Sequence, residues 1–142
     1  MFEGKLAPAD GYIAAAPAMG RGVFAARAFA AGEQVEVAPV ILVEMDLSSA
    51  HLELRTRLYQ WGQLCGDGDA KAIALGFGSL YNHSDAPNLR YEPDAARGLM
   101  RYYAMRDIQR DEQLTIDYDQ PIPGDEAQPS WFELQGITKL AL

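Results

Sequence analysis

Along most of this chain, apolar and polar residues alternate over short stretches; helical spacing is rare. Tyr12–Ala16 reads as a short strand closed by Pro17, and Val23-Phe24-Ala25 opens a second one. Between them, Met19-Gly20-Arg21-Gly22 predicts a turn, because two glycines around one residue permit backbone shapes closed to other residues. After a second turn at Ala31-Gly32-Glu33, Gln34–Glu44 alternates and carries β-branched residues. Pro39 divides it into two short strands, with the proline at an edge or bend. Leu89-Arg90-Tyr91 and Leu99–Met105 are strands joined by the Asp94–Gly98 hairpin loop, with Tyr102 and Tyr103 on opposite faces. Leu114-Thr115-Ile116 is a further strand.

Helical spacing is clearest after Asp46. Leu52, Leu54, Leu58, Tyr59 and Trp61 recur on one side, with Glu53, Arg55 and Arg57 on the other. Ser48 or Ser49 caps this helix, and it stops near Gly62. Lys71–Leu75 predicts one helical turn before Gly76-Phe77-Gly78. Gly66-Asp67-Gly68-Asp69 is a loop; a calcium loop there lacks the later glycine and the distal glutamate it needs. Pro121, Pro123, Gly124 and Pro129 make a loose connection to an amphipathic piece at Trp131–Leu134. There is no internal repeat and no domain boundary. The fold class predicted is mostly β with irregular connections and one or two short helices.

Composition narrows this further. A chain of 142 residues suits one domain with a real core, and 49% hydrophobic content argues against disorder. No apolar run approaches the roughly 20 residues needed to cross a bilayer. The start, Met1-Phe2-Glu3-Gly4-Lys5, lacks the basic and apolar regions of a secretory signal. The single Cys65 excludes an internal disulfide and a cysteine-rich zinc site, so a reducing, cytoplasmic location is expected. Cys65 itself reads as a small, partly buried side chain. A net charge of −8 repels nucleic-acid phosphates and suits a basic partner, although solubility alone accounts for it equally well. From Asp111 onward the acids are Asp111, Glu112, Asp117, Asp119, Asp125, Glu126 and Glu133, against Lys139 alone.

Two segments carry candidate chemistry. Gly78-Ser79-Leu80-Tyr81-Asn82-His83-Ser84-Asp85-Ala86-Pro87-Asn88 is a loop signal, and Asp111-Glu112-Gln113-Leu114-Thr115-Ile116-Asp117-Tyr118 is an acidic turn feeding a strand that ends in Tyr. With Gly20-Arg21-Gly22, in this order and rough spacing, they resemble the three signature motifs of SET-domain protein lysine methyltransferases. The resemblance covers about residues 10 to 135. Each motif alone is weak; a lone Gly-x-Gly is mostly an ordinary turn.

The resemblance implies a β-clip fold of small sheets around a knot-like core, with residues 1–142 as one SET domain. A helical insert would occupy about 45–76 and a segment covering the site about 119–142. It also implies S-adenosylmethionine as methyl donor, no metal, and a lysine in a basic protein segment as acceptor. No nucleic-acid or membrane contact is expected, and the assembly is a monomer or homodimer. By resemblance, Gly20, Arg21 and Gly22 border the donor, with no clear role for the Arg21 side chain. The Asn82 side chain holds its methionine end, the His83 backbone its adenine. Trp131 or Phe132 closes over the base, and plain packing is an equal alternative for that segment. Tyr118 is the expected catalytic residue, orienting a neutral amine. Tyr91 is an expected channel wall; Tyr81 and Tyr103 are weaker channel candidates. His83 is read as structural rather than as a general base, and His51 as a surface residue. Asp117, Asp119, Asp125 and Glu126 are candidate readers of the basic segment.

The chain departs from the family pattern in places. Asp111 stands where Gly is usual, at a turn whose backbone Asp tolerates better than most residues. Gln113 replaces an acid expected on the surface. Asp85 replaces a cysteine, and no cysteine-rich tail exists, so another C-terminal element must cover the site. The alternatives are a non-catalytic module of the same fold that binds the donor or a basic peptide, or an assembly protein without a ligand.

Overall fold

A computed structural model describes residues 6–44, 52–66, 70–121 and 130–135. Period-two burial organises them into two sheets. The first joins β1 (Gly11–Ala16), β2 (Gly20–Ala25), β9 (Gln113–Ile116) and β6 (Asn82–His83), in that spatial order. The second runs β4 (Leu58–Tyr59), β5 (Lys71–Ala74), β3 (Gln34–Val43), β8 (Leu99–Ala104), β7 (Leu89–Asp94). Three short helices complete the described residues: α1 (Leu52–Arg55), α2 (Trp61–Cys65) and α3 (Trp131–Gln135). A 3₁₀ turn spans Gly78–Leu80. No described helix is long and apolar enough to cross a membrane. The fold class is mostly β, as the alternation predicts.

Three local expectations give way to tertiary pairing. The first is Gly20-Arg21-Gly22, which lies within β2 rather than in a turn; Ala16 pairs with Gly20, so the hairpin reverses at Pro17–Met19. The second is the division of β3 at Pro39. The strand runs through: Pro39 stays in register with Leu99, and the next donor, Val40 N–H, reaches Gly98 O at 3.0 Å. At this position the ladder therefore lacks only the proline's own donor.

The third is the helical insert. Lys71–Ala74 is a strand: Ala72 and Ala74 are buried while Lys71 and Ile73 are half-buried, a two-residue period that places it between β3 and β4. The helix expected from Ser48 to Gly62 is broken, because Leu58 and Tyr59 leave helical spacing to pair with Ile73 and Ala72. Ser48, Ser49 and His51 lie outside the described residues, as do Asp67, Gly68 and Asp69. Asp111 does take the left-handed conformation its turn requires, at φ 69°.

The core lies between the sheets. Val23, Leu89, Met100, Tyr81, Tyr102, Leu114 and Ile116 are almost completely buried there.

Candidate active site

Strand β6 runs parallel to β9, with Asn82 opposite Thr115 and His83 opposite Ile116. A parallel pair needs a long connection, and here β7 and β8 fill it. Asn88, buried in that connection, grips β9 as a strand would. Its Nδ2 donates to Gln113 O at 2.7 Å and its Oδ1 accepts from Thr115 N at 2.9 Å. Asn82 Nδ2 donates to Arg21 O at 2.7 Å. All three sequence motifs therefore meet around Asn82.

One side of this junction is a polar face of backbone and amide groups, the candidate cleft. Gly22 is buried, and a Cβ there would lie 2.4 Å from Gln113 Oε1 and 3.0 Å from Asn82 Nδ2. Gly20 is exposed, with φ +80° and open space around the position of a Cβ. Arg21 contributes its carbonyl to the junction. Gln113 is half-buried and engaged: its Oε1 accepts from Asn82 Nδ2 at 2.9 Å, in the space that the missing Gly22 side chain leaves.

His83 links the cleft to Tyr118. Its Nδ1 accepts the Tyr118 backbone N–H at 3.0 Å, so the ring proton of the neutral form sits on Nε2, which donates to Asp85 Oδ1 at 2.9 Å. Both nitrogens are engaged, which leaves no lone pair for general-base work. The ring packs edge-on to Phe132 at 4.9 Å.

The other side is an aromatic cavity of about 460 Å³, lined among others by Tyr59, Tyr91, Tyr118, Trp131 and Arg57. The Tyr118 hydroxyl points inward and donates to Tyr81 O at 2.8 Å. Burial of that hydroxyl pushes it up to about 12, against the weaker opposing effect of the Arg57 charge. Tyr91 is buried, its hydroxyl donating to Asp117 O at 3.0 Å and its ring edge-on to Tyr59 at 5.4 Å. Gln120 braces it: the side-chain amide accepts from Tyr91 N at 2.9 Å and donates to Tyr91 O at 2.7 Å.

Several predicted roles move. Trp131 does not border Gly20 or Gly22; its ring lies 4.4 Å from that of Tyr118, and its Nε1 donates to Leu58 O at 2.6 Å. Phe132, not Trp131, packs on His83. Tyr81 offers the cavity its carbonyl, because its hydroxyl turns away to Glu36 at 2.8 Å. Tyr103 is not a cavity residue: it faces away from Tyr102, under the Arg90 guanidinium at 4.4 Å. Asp119 is engaged in capping α3, accepting from Trp131 N at 2.7 Å and from the Ser130 hydroxyl. Asp117 lines a second cavity that adjoins the first across Tyr91 and Gln120. Asp125 and Glu126 lie outside the described residues.

Sequence reasoning missed Tyr59. Helical spacing absorbed it, whereas its hydroxyl donates to Gly78 O at 2.6 Å and sits 2.7 Å from the Tyr102 hydroxyl. Only the β4–β5 pairing reveals that it leaves the helix.

The polar face at Asn82 and the aromatic cavity at Tyr118 therefore meet at adjacent residues, Tyr81 and Asn82. The SET domain family matches residues 20–119. A Schizosaccharomyces pombe protein, "Histone-lysine N-methyltransferase, H3 lysine-37 specific", is 32% identical over 117 residues, covering 80% of this chain and 71% of that protein. A crystal structure of a provisionally assigned histone methyltransferase from Plasmodium falciparum superposes with a TM-score of 0.61 and 27% identity, covering 81% of this chain and 97% of that one. The chain belongs to the SET-domain family. Its activity is that of a protein-lysine methyltransferase.

The cleft fits the donor this family uses. A Cβ at Gly22 would displace the Gln113 and Asn82 amides from this face, and Asn82 keeps an amide oxygen able to accept from an ammonium group.

Proposed function

We propose that this protein methylates a lysine in a basic protein segment, with S-adenosylmethionine in the Asn82 cleft and the lysine side chain in the Tyr118 cavity. The Tyr118–Tyr81 hydrogen bond carries the reading, because it places the cavity's phenol one residue from Asn82. When bound, the donor supplies an electrophilic methyl group on a positive sulfonium. The Gly20 and Gly22 backbone, the Asn82 side chain and the His83 backbone would hold it.

The protein's own residues have two tasks. One is to keep the amine neutral. A lysine has an ordinary pKa of about 10.4, so only about one in a thousand is uncharged at neutral pH. Walls made of Tyr59, Tyr91 and Trp131 disfavour the ammonium by desolvation, and the Arg57 charge in the same cavity acts in the same direction. The other task is aim. Tyr118 spends its proton on Tyr81 O, which leaves its oxygen lone pairs to accept from the amine. Held up at about 12, it stays a neutral phenol and is no base. Proximity supplies much of the remaining rate. Backbone carbonyls near Tyr81 can receive the methyl hydrogens in weak C–H···O contacts.

A net charge of −8 suits a basic substrate, as does the histone specificity of the yeast relative. Asp117 and Glu92 line the adjoining cavity and would read that segment. Calorimetry with the donor, followed by label transfer to histone-tail peptides, tests the whole. Saturable donor binding with label on lysine is expected. Donor binding with no transfer to any basic peptide would leave only a binding module.

A further inference from the structure

Behind the cavity lies a carboxylate that the mechanism above does not use. Glu36, in β3, is 1% exposed. Its Oε1 accepts the Tyr81 hydroxyl at 2.8 Å and its Oε2 accepts the Phe77 N–H at 2.9 Å. The approach is close enough to exclude a side chain: at Gly76, with φ +65°, a Cβ would lie 2.5 Å from Glu36 Oε2. Between the two gripped residues runs the 3₁₀ turn, and three of the segment's carbonyls face the cavity's own residues. Gly78 O accepts from Tyr59 at 2.6 Å, Tyr81 O from Tyr118 at 2.8 Å, and Ser79 O more loosely from Arg57 at 3.4 Å.

From this geometry we infer that Glu36 is a positioning residue for methyl transfer: from behind the turn it fixes the carbonyls that hold Tyr118 and Tyr59 in place. The inference rests on the functional reading above. Glu36 touches neither proposed ligand. It acts through Tyr81, whose ring it holds by the hydroxyl and whose carbonyl orients the Tyr118 phenol.

A purely structural role fits poorly. Burial raises the Glu36 carboxyl, against the opposing hydrogen bonds from Phe77 and Tyr81. A charged group there is a cost to the fold, and well-packed apolar replacements of buried charges are often tolerated. What an apolar side chain cannot supply is two acceptors. Glutamine can supply both contacts, its oxygen taking the Phe77 N–H and its amide donating to a reversed Tyr81 hydroxyl.

The test measures kcat, peptide KM, donor Kd and Tm for Glu36→Met, Glu36→Gln, Tyr81→Phe and Tyr118→Phe. Glu36→Met is expected to fold and to lose between about tenfold and a hundredfold in kcat, as displaced catalytic groups do. Its KM and Kd should stay within about threefold, a change too small to signal lost binding. Glu36→Gln should recover most of the rate. Tyr81→Phe should lose kcat in the same way, with no further loss in the Glu36→Met/Tyr81→Phe double variant, since both act through one contact. Wild-type kcat in folded Glu36→Met overturns the inference. If that variant does not fold, wild-type kcat in Tyr81→Phe does the same. Tyr118→Phe separates the two levels. Its loss together with an active Glu36→Met refutes the positioning role alone, whereas full activity in Tyr118→Phe refutes the site itself.

Discussion

The polar cleft at Asn82 and the aromatic cavity at Tyr118 share one wall but are built by opposite means. The cleft is knitted from strands and amides: β2, β6 and β9, with Asn82, Gln113 and Asn88 bridging them. It lies beside the exposed Gly20 and Arg21. The cavity is assembled from the β4 region, α2, the 3₁₀ turn, β7, the segment after β9 and α3, with the phenols of Tyr59, Tyr91 and Tyr118 in its wall. Polar groups in the cleft satisfy one another through backbone geometry. Phenols in the cavity are held by hydroxyl-to-carbonyl contacts, from Tyr59 to Gly78, Tyr91 to Asp117 and Tyr118 to Tyr81, with the Tyr102 hydroxyl as a second partner for Tyr59. A binding cleft needs a fixed backbone, whereas a transfer cavity needs a dry, oriented interior.

If the two sides divide the work in this way, they should fail separately. Tyr118→Phe should give the largest effect, lowering kcat by about two to three orders of magnitude, the scale of removing a transition-state hydrogen-bonding group. Donor Kd from calorimetry should hold. Comparable loss of donor binding would erase the distinction between the sides. Gly22→Ala should do the converse. The atoms it meets are the ends of the Gln113 and Asn82 side chains, which can give way, so Tm should change little. Donor Kd should rise about tenfold, or about 1.4 kcal/mol.

The cavity alone should show an alkaline signature. An ordinary phenol titrates near 10, while burial holds Tyr118 up to about 12 and raises Tyr59, Tyr81, Tyr91 and Tyr102 as well. The folded state therefore keeps these protons more tightly than the unfolded chain does. That stabilisation is complete below about pH 10 and is lost as pH rises towards about 12. Thermal melts from pH 8 upward should be flat and then fall above about pH 10, with phenolate absorbance appearing on unfolding. Phenolate formed before unfolding would mean that the cavity is wet. The smallest effect is expected from Arg57→Met. Removing a like charge should raise the pKa of the bound amine by about half a unit and move the acidic limb of kcat upward. An unmoved limb would assign the neutral amine to desolvation alone.

How much of this could be read beforehand differs between the two sides. The cleft was legible, because its residues sit inside short motifs whose order along the chain survives folding: Gly20-Arg21-Gly22, Asn82-His83, Gln113 to Tyr118. Even there Gln113 looked like a surface residue, since nothing in its own segment shows that Gly22 leaves room for it. The cavity was legible only in or close to a motif, at Tyr118, Tyr81 and Tyr91. Tyr59 was hidden by helical spacing that β5 overrides, and Tyr103 was indistinguishable from Tyr102 until the sheet chose which face turned inward. Asp119 read as a free acid because its partners, Trp131 and Ser130, lie across a stretch of prolines.

What the sequence determined alone was the mostly β class, the acidic surface and the family signature. Each of these is written within a few residues, in a two-residue period or a backbone shape that only certain side chains permit. Tertiary structure decided who faces whom. Trp131 meets Leu58 across 73 positions, Tyr59 meets Tyr102 across 43, and Glu36 meets Tyr81 across 45. No local propensity encodes such contacts. They form because burying these rings against one another, with every hydroxyl given an acceptor, outweighs the entropy of closing the long loops between them.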